Sequence, residues 1–201
     1  MRSFIGLDLS AQDKLALENW REKSLPGLPS SNARTANQPK VPARQPKPVP
    51  AANFHITLCF LGNINDRQHE TVIANLDDIT ATPFEVTLDM TAFWQGPKIL
   101  LAAPTAPPAS LMSLAASVNS AARQAGIDVE RREYRPHVTL IRNTKEDYPP
   151  PLFAPQLTCQ FSQFHLFESV STPSGVRYPV KHSWPLRSSH SVREKLQRGH
   201  F

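Results

Sequence analysis

The chain has 201 residues, with 22 Lys and Arg against 17 Asp and Glu, a net charge of +5, and 40% hydrophobic residues. That is enough for one medium domain or two intimate lobes with a real core, and too apolar for a wholly disordered polypeptide. No apolar stretch approaches the roughly 20 residues needed to cross a bilayer, so a membrane-spanning protein is not expected.

The opening MRSFIGLDLSAQDK meets acids at once and has no small-residue cleavage site, which reads as a chain without a signal peptide. Cys59 and Cys159 have neither disulfide-scaffold nor metal-ligand spacing, and are expected as small core residues of a cytoplasmic protein. Residues 3–9 (SFIGLDL) alternate as a strand. Ser10 then caps a helix over about 11–23, with Leu15, Leu17 and Trp20 on its apolar side. Residues 26–50 hold seven prolines and predict no regular element. Asn53–Leu61 reads as a strand and 66–79 as a helix. FEVTLDMTAF (84–93) and KILLAA (98–103) read as two strands joined by the WQGP turn, hence a hairpin. A helix follows from Pro107 to Gly126, with Leu111, Leu114 and Val118 on one side and Gly126 as its stop. HVTLI (137–141), LTCQFSQFHLFES (157–169) and RYPV (177–180) are the remaining strands, and residues past Arg187 form a polar, basic tail.

Three helices among strands that look like hairpin partners predict an α+β fold with antiparallel sheets, not a doubly wound nucleotide fold. With neither G-x-x-x-x-G-K nor G-x-G-x-x-G, nothing is set to cradle a triphosphate or dinucleotide. Cys-x-x-Cys, His-Glu-x-x-His and acidic clusters are also missing, so no metal and no cofactor are expected.

The basic residues are uneven. No carboxylate lies between Glu22 and Asp66, where Lys23, Arg34, Lys40, Arg44 and Lys47 all occur. Further clusters are Arg131, Arg132, Arg135, Arg142 and Lys145, and Arg187, Arg193, Lys195 and Arg198 in the tail. Such clusters favour a polyanionic partner, although a solvated loop would carry similar charge.

The strongest signal is a repeat. Phe54-His55-Ile56-Thr57-Leu58 and Pro136-His137-Val138-Thr139-Leu140 both place His-x-Thr-Leu in a strand. Composition alone gives roughly 0.04 such matches in the chain. In a strand, His55 and Thr57 share one face while Ile56 and Leu58 point into the core, and His137 with Thr139 repeats the arrangement. A paired site follows. One neutral imidazole removes a proton from a nucleophile while the other, protonated, gives one to a leaving oxygen, and the threonine hydroxyls donate to oxygens that gain charge. In-line displacement at phosphorus fits this best, with the basic clusters holding other phosphates.

These residues resemble the two-histidine phosphoesterase superfamily. The runs Asn53–Gly62 and Arg135–Arg142 resemble its bacterial branch, the RNA 2′,3′-cyclic phosphodiesterases, also called 2′-5′ RNA ligases. The N-terminal strand, Leu166–Ser169, Tyr178 and Trp184-Pro185-Leu186 resemble the family framework, so the similarity spans about residues 3–186. The resemblance implies two pseudo-symmetric lobes, each with an antiparallel sheet and outer helices, around a central cleft. These would form one bilobal domain over 1–187, followed by the tail 188–201. It also implies metal-independent opening of a terminal 2′,3′-cyclic phosphate on RNA to a 2′-phosphate, with weak reversible 2′-5′ joining. A monomer is the default expectation. His55 and His137 would be the acid and base, with His137 activating water, and Thr57 and Thr139 would bind the phosphate.

Arg142 matches a basic family position near the phosphate, yet strict alternation turns it away from His137, so the strand must end or twist there. Lys47 stands where relatives often carry Arg, and Tyr134 is placed to stack on a base. His69, His165, His182, His190 and His200 have no Thr partner and read as structural or surface residues. The 26–50 segment and the tail depart from the family pattern. Two other substrates fit the same chemistry, a small cyclic nucleotide and an ADP-ribose cyclic phosphate. A non-catalytic RNA-end binding module is the alternative of a different class.

Overall fold

The structure, a computed structural model, describes residues 2–25, 45–144, 148–173 and 175–187. The tail after Arg187, Lys145 and most of the proline-rich segment, with Arg34, Lys40 and Arg44, therefore lie outside the described residues, as do His190 and His200.

The chain opens with β1 (Arg2–Asp8) and α1 (Ala11–Ser24). Ser10 caps α1 by accepting a hydrogen bond from the Asp13 amide, which satisfies one of the donors that a helix start leaves unpaired. Leu17 is fully buried and Trp20 packs against the core, but Leu15 is exposed. Two residues turn a helix by about 200°, so Leu15 and Leu17 cannot share a face. The buried stripe runs instead through Leu17, Arg21 and Ser24. The proline-rich segment does contain a regular element: β2 (Lys47–Pro48) opposite Arg142 and Ile141, with the Val49 amide donating to the Leu140 carbonyl.

A single 3-10 turn (Ala51–Asn53) leads into β3 (His55–Asn63) and α2 (Asp66–Asp77). At the start of α2, Asn65 and Gln68 form a reciprocal capping box. The 84–93 run is two strands rather than one. β4 (Phe84–Leu88) ends at Asp89, whose carboxylate accepts from the Thr105 amide and hydroxyl, and β5 (Met90–Trp94) then joins a different sheet. β5 and β6 (Ile99–Ala103) make the hairpin expected from the WQGP turn. Helix α3 (Ala109–Gln124) buries Leu111, Leu114 and Val118, and Gly126 stops it at φ 71°, a left-handed conformation that favours glycine.

After β7 (Val138–Arg142), the 157–169 run also divides, at Ser162, into β8 (Leu157–Phe161) and β9 (Gln163–Glu168). β10 (Val170–Thr172), β11 (Gly175–Arg177) and β12 (Val180–Pro185) close the described chain, with Tyr178 and Pro179 between the last two.

All strand pairs are antiparallel. One sheet runs β12-β9-β1-β3-β7-β6-β5 with β2 alongside β7, while β4–β8 and β10–β11 are separate pairs. The architecture is the expected α+β, two-lobed one. The first half, β12-β9-β1-β3, meets the second, β7-β6-β5, through the single pair Ile56–Val138. Helix α3 packs on β3 with α2 against it, and α1 packs against the 3-10 turn and β8. Ile56, Leu58, Val138 and Leu140 are 2% exposed or less, so the inward faces of both motif strands anchor the core. Each such side chain contributes about 1.5–3 kcal/mol relative to exposure. Both cysteines are buried and free, and burial pushes their thiols up to about 12.

β1 carries a glycine that the site depends on. Gly6 pairs with Thr57 on one side and His165 on the other. A Cβ there would stand 2.8 Å from the Ile56 carbonyl oxygen, a backbone atom of the first motif strand. Gly6→Ala is therefore expected to displace β3 and cost about 1–3 kcal/mol. Urea unfolding measures this, and an unchanged midpoint would contradict the close approach.

Candidate active site

β3 and β7 lie side by side at the centre of the sheet, and the Ile56–Val138 pair sets their register. Antiparallel alternation from that pair puts Thr57 beside His137 and Thr139 beside His55, so each histidine faces the other motif's threonine. All four side chains share the face opposite the buried Ile56, Leu58, Val138 and Leu140.

Both imidazoles are held alike. His55 Nδ1 lies 2.7 Å from the Asn53 carbonyl, and His137 Nδ1 lies 2.9 Å from the Arg135 carbonyl, each two residues upstream. A carbonyl only accepts, so Nδ1 carries the proton in both rings and Nε2 is left as the reacting nitrogen. Neutral, that nitrogen is a base; protonated, it is an acid. Among the described residues no protein group hydrogen-bonds the hydroxyl of Thr57 or Thr139, which leaves both hydroxyls available to a substrate oxygen.

Aromatic rings wall the two histidines. Phe4 (4.7 Å between centroids), Tyr178 (5.1 Å, edge-on) and Phe167 (5.9 Å) surround His55, and Trp94 lies 4.5 Å from His137. Burial lowers both pKa values, that of His55 from its ordinary 6.5 to about 4. The Arg142 charge lowers both further. The Asn53 and Arg135 carbonyls oppose the shift, as does Asp8 beside His55, whose carboxylate is paired with Lys14 at 2.7 Å. The low-dielectric walls thus hold both rings neutral near pH 7.

Arg142 reaches the cleft through a β-bulge. Thr139 faces Leu101 and Ile141 faces Leu100, so Leu140 is an extra residue in β7. Leu140 and Ile141 are consequently both buried, and the next side chain emerges on the cleft side. This phase change replaces the strand end or twist that alternation seemed to require. β3 does the same. Thr57 faces Gly6 and Cys59 faces Ile5, Leu58 is extra, and Phe60 emerges 61% exposed. Sequence reading passed over Phe60, although adjacent apolar pairs, Leu58-Cys59 and Leu140-Ile141, interrupt both alternating patterns.

Lys47 pairs directly with Arg142 across β2 and β7, which places the two cations on one face. Like charges opposite each other are unfavourable unless an anion lies between them. Tyr134 lines the cleft, but its hydroxyl is buried without a partner and its ring packs on the core. Trp94, which the WQGP pattern places in a turn, ends β5 and lines the same cleft against His137. A cavity of about 870 Å³ runs from Thr57 and His137 past Phe60 and Trp94 to α3, where Asn119 and Arg123 line it. His165 bonds the Ser183 hydroxyl and His182 packs on Trp184, as structural histidines do. Among the described residues no group of three or more His, Cys, Asp or Glu side chains is placed to hold a metal ion.

Paired proton donors and acceptors on a cationic face suit displacement at phosphorus, and fold and motifs together put the chain in the class of two-histidine phosphoesterases. A family model described as LigT like Phosphoesterase matches residues 27–100 and 101–178, and the chain belongs to that family. It is 27% identical to an RNA 2′,3′-cyclic phosphodiesterase of Escherichia coli (strain K12) over 92% of this chain and 96% of that protein. It is 31% identical to one of Bacillus subtilis (strain 168) over 58% of this chain and 68% of that protein. The crystal structure of E. coli LigT complexed with 3′-AMP is similar with a TM-score of 0.77 at 27% identity, covering 93% of this chain and 98% of that one.

Proposed function

We propose that this protein opens the terminal 2′,3′-cyclic phosphate of RNA to a 2′-phosphate, with His55 and His137 as its acid and base. The observation that carries the reading is the equivalence of the two rings. Both have Nδ1 tied to a carbonyl, and both are set by the Ile56–Val138 register in one cleft. The E. coli and B. subtilis relatives bear the name of this activity.

In the reaction His137 Nε2 takes a proton from water as the water oxygen bonds to phosphorus. The P–O3′ bond breaks, and protonated His55 gives its Nε2 proton to O3′. The hydroxyls of Thr57 and Thr139 donate to the non-bridging oxygens, and Arg142 with Lys47 balances their charge. With the 5′-hydroxyl of a second RNA in place of the water, the same steps give slow 2′-5′ joining, and O3′ again leaves with the His55 proton. The protein acts as a cytoplasmic monomer in this reading, since one chain supplies both His/Thr pairs.

The test is incubation, with EDTA present, of the protein and a short RNA ending in 2′,3′-cyclic phosphate. A 2′-phosphate end is the expected product. A 3′-phosphate would reverse the choice of leaving oxygen, and RNA bound but unchanged would point to a binding module. Equal turnover of a free cyclic nucleotide would remove RNA from the reading.

A further inference from the structure

Each motif strand is bulged after its Thr-Leu, and each bulge is gripped from a helix. The Leu58 carbonyl, at the extra residue of β3, accepts from Asn119 Nδ2 of α3 at 3.1 Å. The Leu140 carbonyl, at the extra residue of β7, accepts from Arg21 Nη1 of α1 at 3.2 Å. The arrangement is crossed: the helix preceding the first motif grips the second, and the helix preceding the second grips the first. We infer that Arg21 and Asn119 are positioning residues that hold the two bulges in phase, and through them fix Arg142 and Phe60 in the cleft. The inference rests on the proposed role of Arg142 at the phosphate.

Neither contact is incidental to its side chain. Asn119 gives its second amide hydrogen to the Ala115 carbonyl at 2.7 Å. Both donors are therefore committed to carbonyls, and the amide has one orientation. Arg21 is 1% exposed, and its Nη1 also donates to the Val49 carbonyl. The Val49 amide donates in turn to the Leu140 carbonyl, so the guanidinium ties β2 to the bulge of β7. Glu18 lies 3.3 Å from Nη2, and the Phe54 ring lies 5.2 Å from the guanidinium carbon. Burying a guanidinium is costly, and an apolar side chain would fill the same space. What the apolar side chain lacks is the pair of Nη1 hydrogens that reaches two carbonyls at once. A bulge that slips by one residue turns Arg142 to the opposite face.

A double-mutant cycle in the full chain tests this, using single-turnover cleavage of a cyclic-phosphate RNA. Arg21→Met is expected to lower kcat/KM about tenfold or more in the wild-type background, and less than about twofold when Arg142→Ala is already present. Asn119→Leu should couple in the same way to Phe60→Ala and add independently to Arg142→Ala. If Arg21→Met does not fold, Arg21→Lys takes its place in the cycle, because the ammonium keeps the charge but ends one atom short of where Nη1 meets both carbonyls. A packing role would leave the pH profile alone. Loss of the Arg142 charge from the cleft should raise the upper limb of kcat/KM in Arg21→Lys as it does in Arg142→Ala. Equal losses in both backgrounds, or wild-type kcat/KM in a folded Arg21 variant, would overturn the inference. Wild-type activity in Arg142→Ala alone would instead overturn the reading on which it rests.

Discussion

Replacing His55 or His137 with alanine is expected to slow cleavage of a cyclic-phosphate RNA by about a hundred- to ten-thousand-fold each. The double replacement should cost little more than either single one. The two rings act in one step, one taking a proton as the other delivers one, and residues that work as a unit are far from additive. Both rings are half-buried at the floor of an open cleft rather than in the core, so thermal unfolding should stay near wild type. Single-turnover rates with saturating enzyme isolate the chemical step. A variant keeping a tenth of the wild-type rate would show that its imidazole moves no proton in the reaction.

The second large effect is on pH dependence. Burial and Arg142 hold the His55 pKa at about 4 and that of His137 below its ordinary value, so both rings of the free protein are mainly neutral at pH 7. Activity needs one protonated and one neutral ring. Above the higher of the two values, both are neutral, and kcat/KM should fall tenfold for each pH unit. The optimum of kcat/KM therefore lies on the acid side of pH 6.5. A bound phosphate anion favours the protonated rings and raises their pKa values, so kcat should hold to higher pH than kcat/KM. The same argument requires proton uptake when a phosphate ligand binds near neutrality. Calorimetry in buffers of different ionisation enthalpy measures that uptake. A kcat/KM that stays flat up to pH 8 would contradict the depressed pKa values.

The two motif strands were legible because period two is a strong signal, and His-x-Thr-Leu puts polar and apolar residues on opposite faces twice over. Two of the three helices were legible from their ends, α1 from Ser10 and α3 from the prolines before Ala109 and from Gly126. What escaped were changes of phase and of partner. Residues 84–93 and 157–169 each read as one strand, since alternation continues through Asp89 and Ser162. Alternation does not record which sheet a strand joins, and both runs change sheets at those residues. The bulges shift the pattern by one residue, and that shift alone turns Arg142 to the side of the two histidines. Arg21 gave no signal, because one arginine in a polar helix looks like solvent-facing charge until the strand above it is known. Trp94 was hidden by a turn whose residues suffice to explain themselves.

The matched Nδ1–carbonyl bonds carry one more consequence. Two imidazoles fixed in the same tautomer by the same kind of acceptor are interchangeable as proton donor and proton acceptor. These two bonds by themselves set no preferred sense of proton travel along the reaction coordinate. Whether a cyclic end is hydrolysed or joined then becomes a competition of occupancies: water against a ribose hydroxyl for the one position in line with the departing oxygen. Mass action and how long the second RNA strand resides in the cleft, rather than the chemistry of the residues, would decide the outcome.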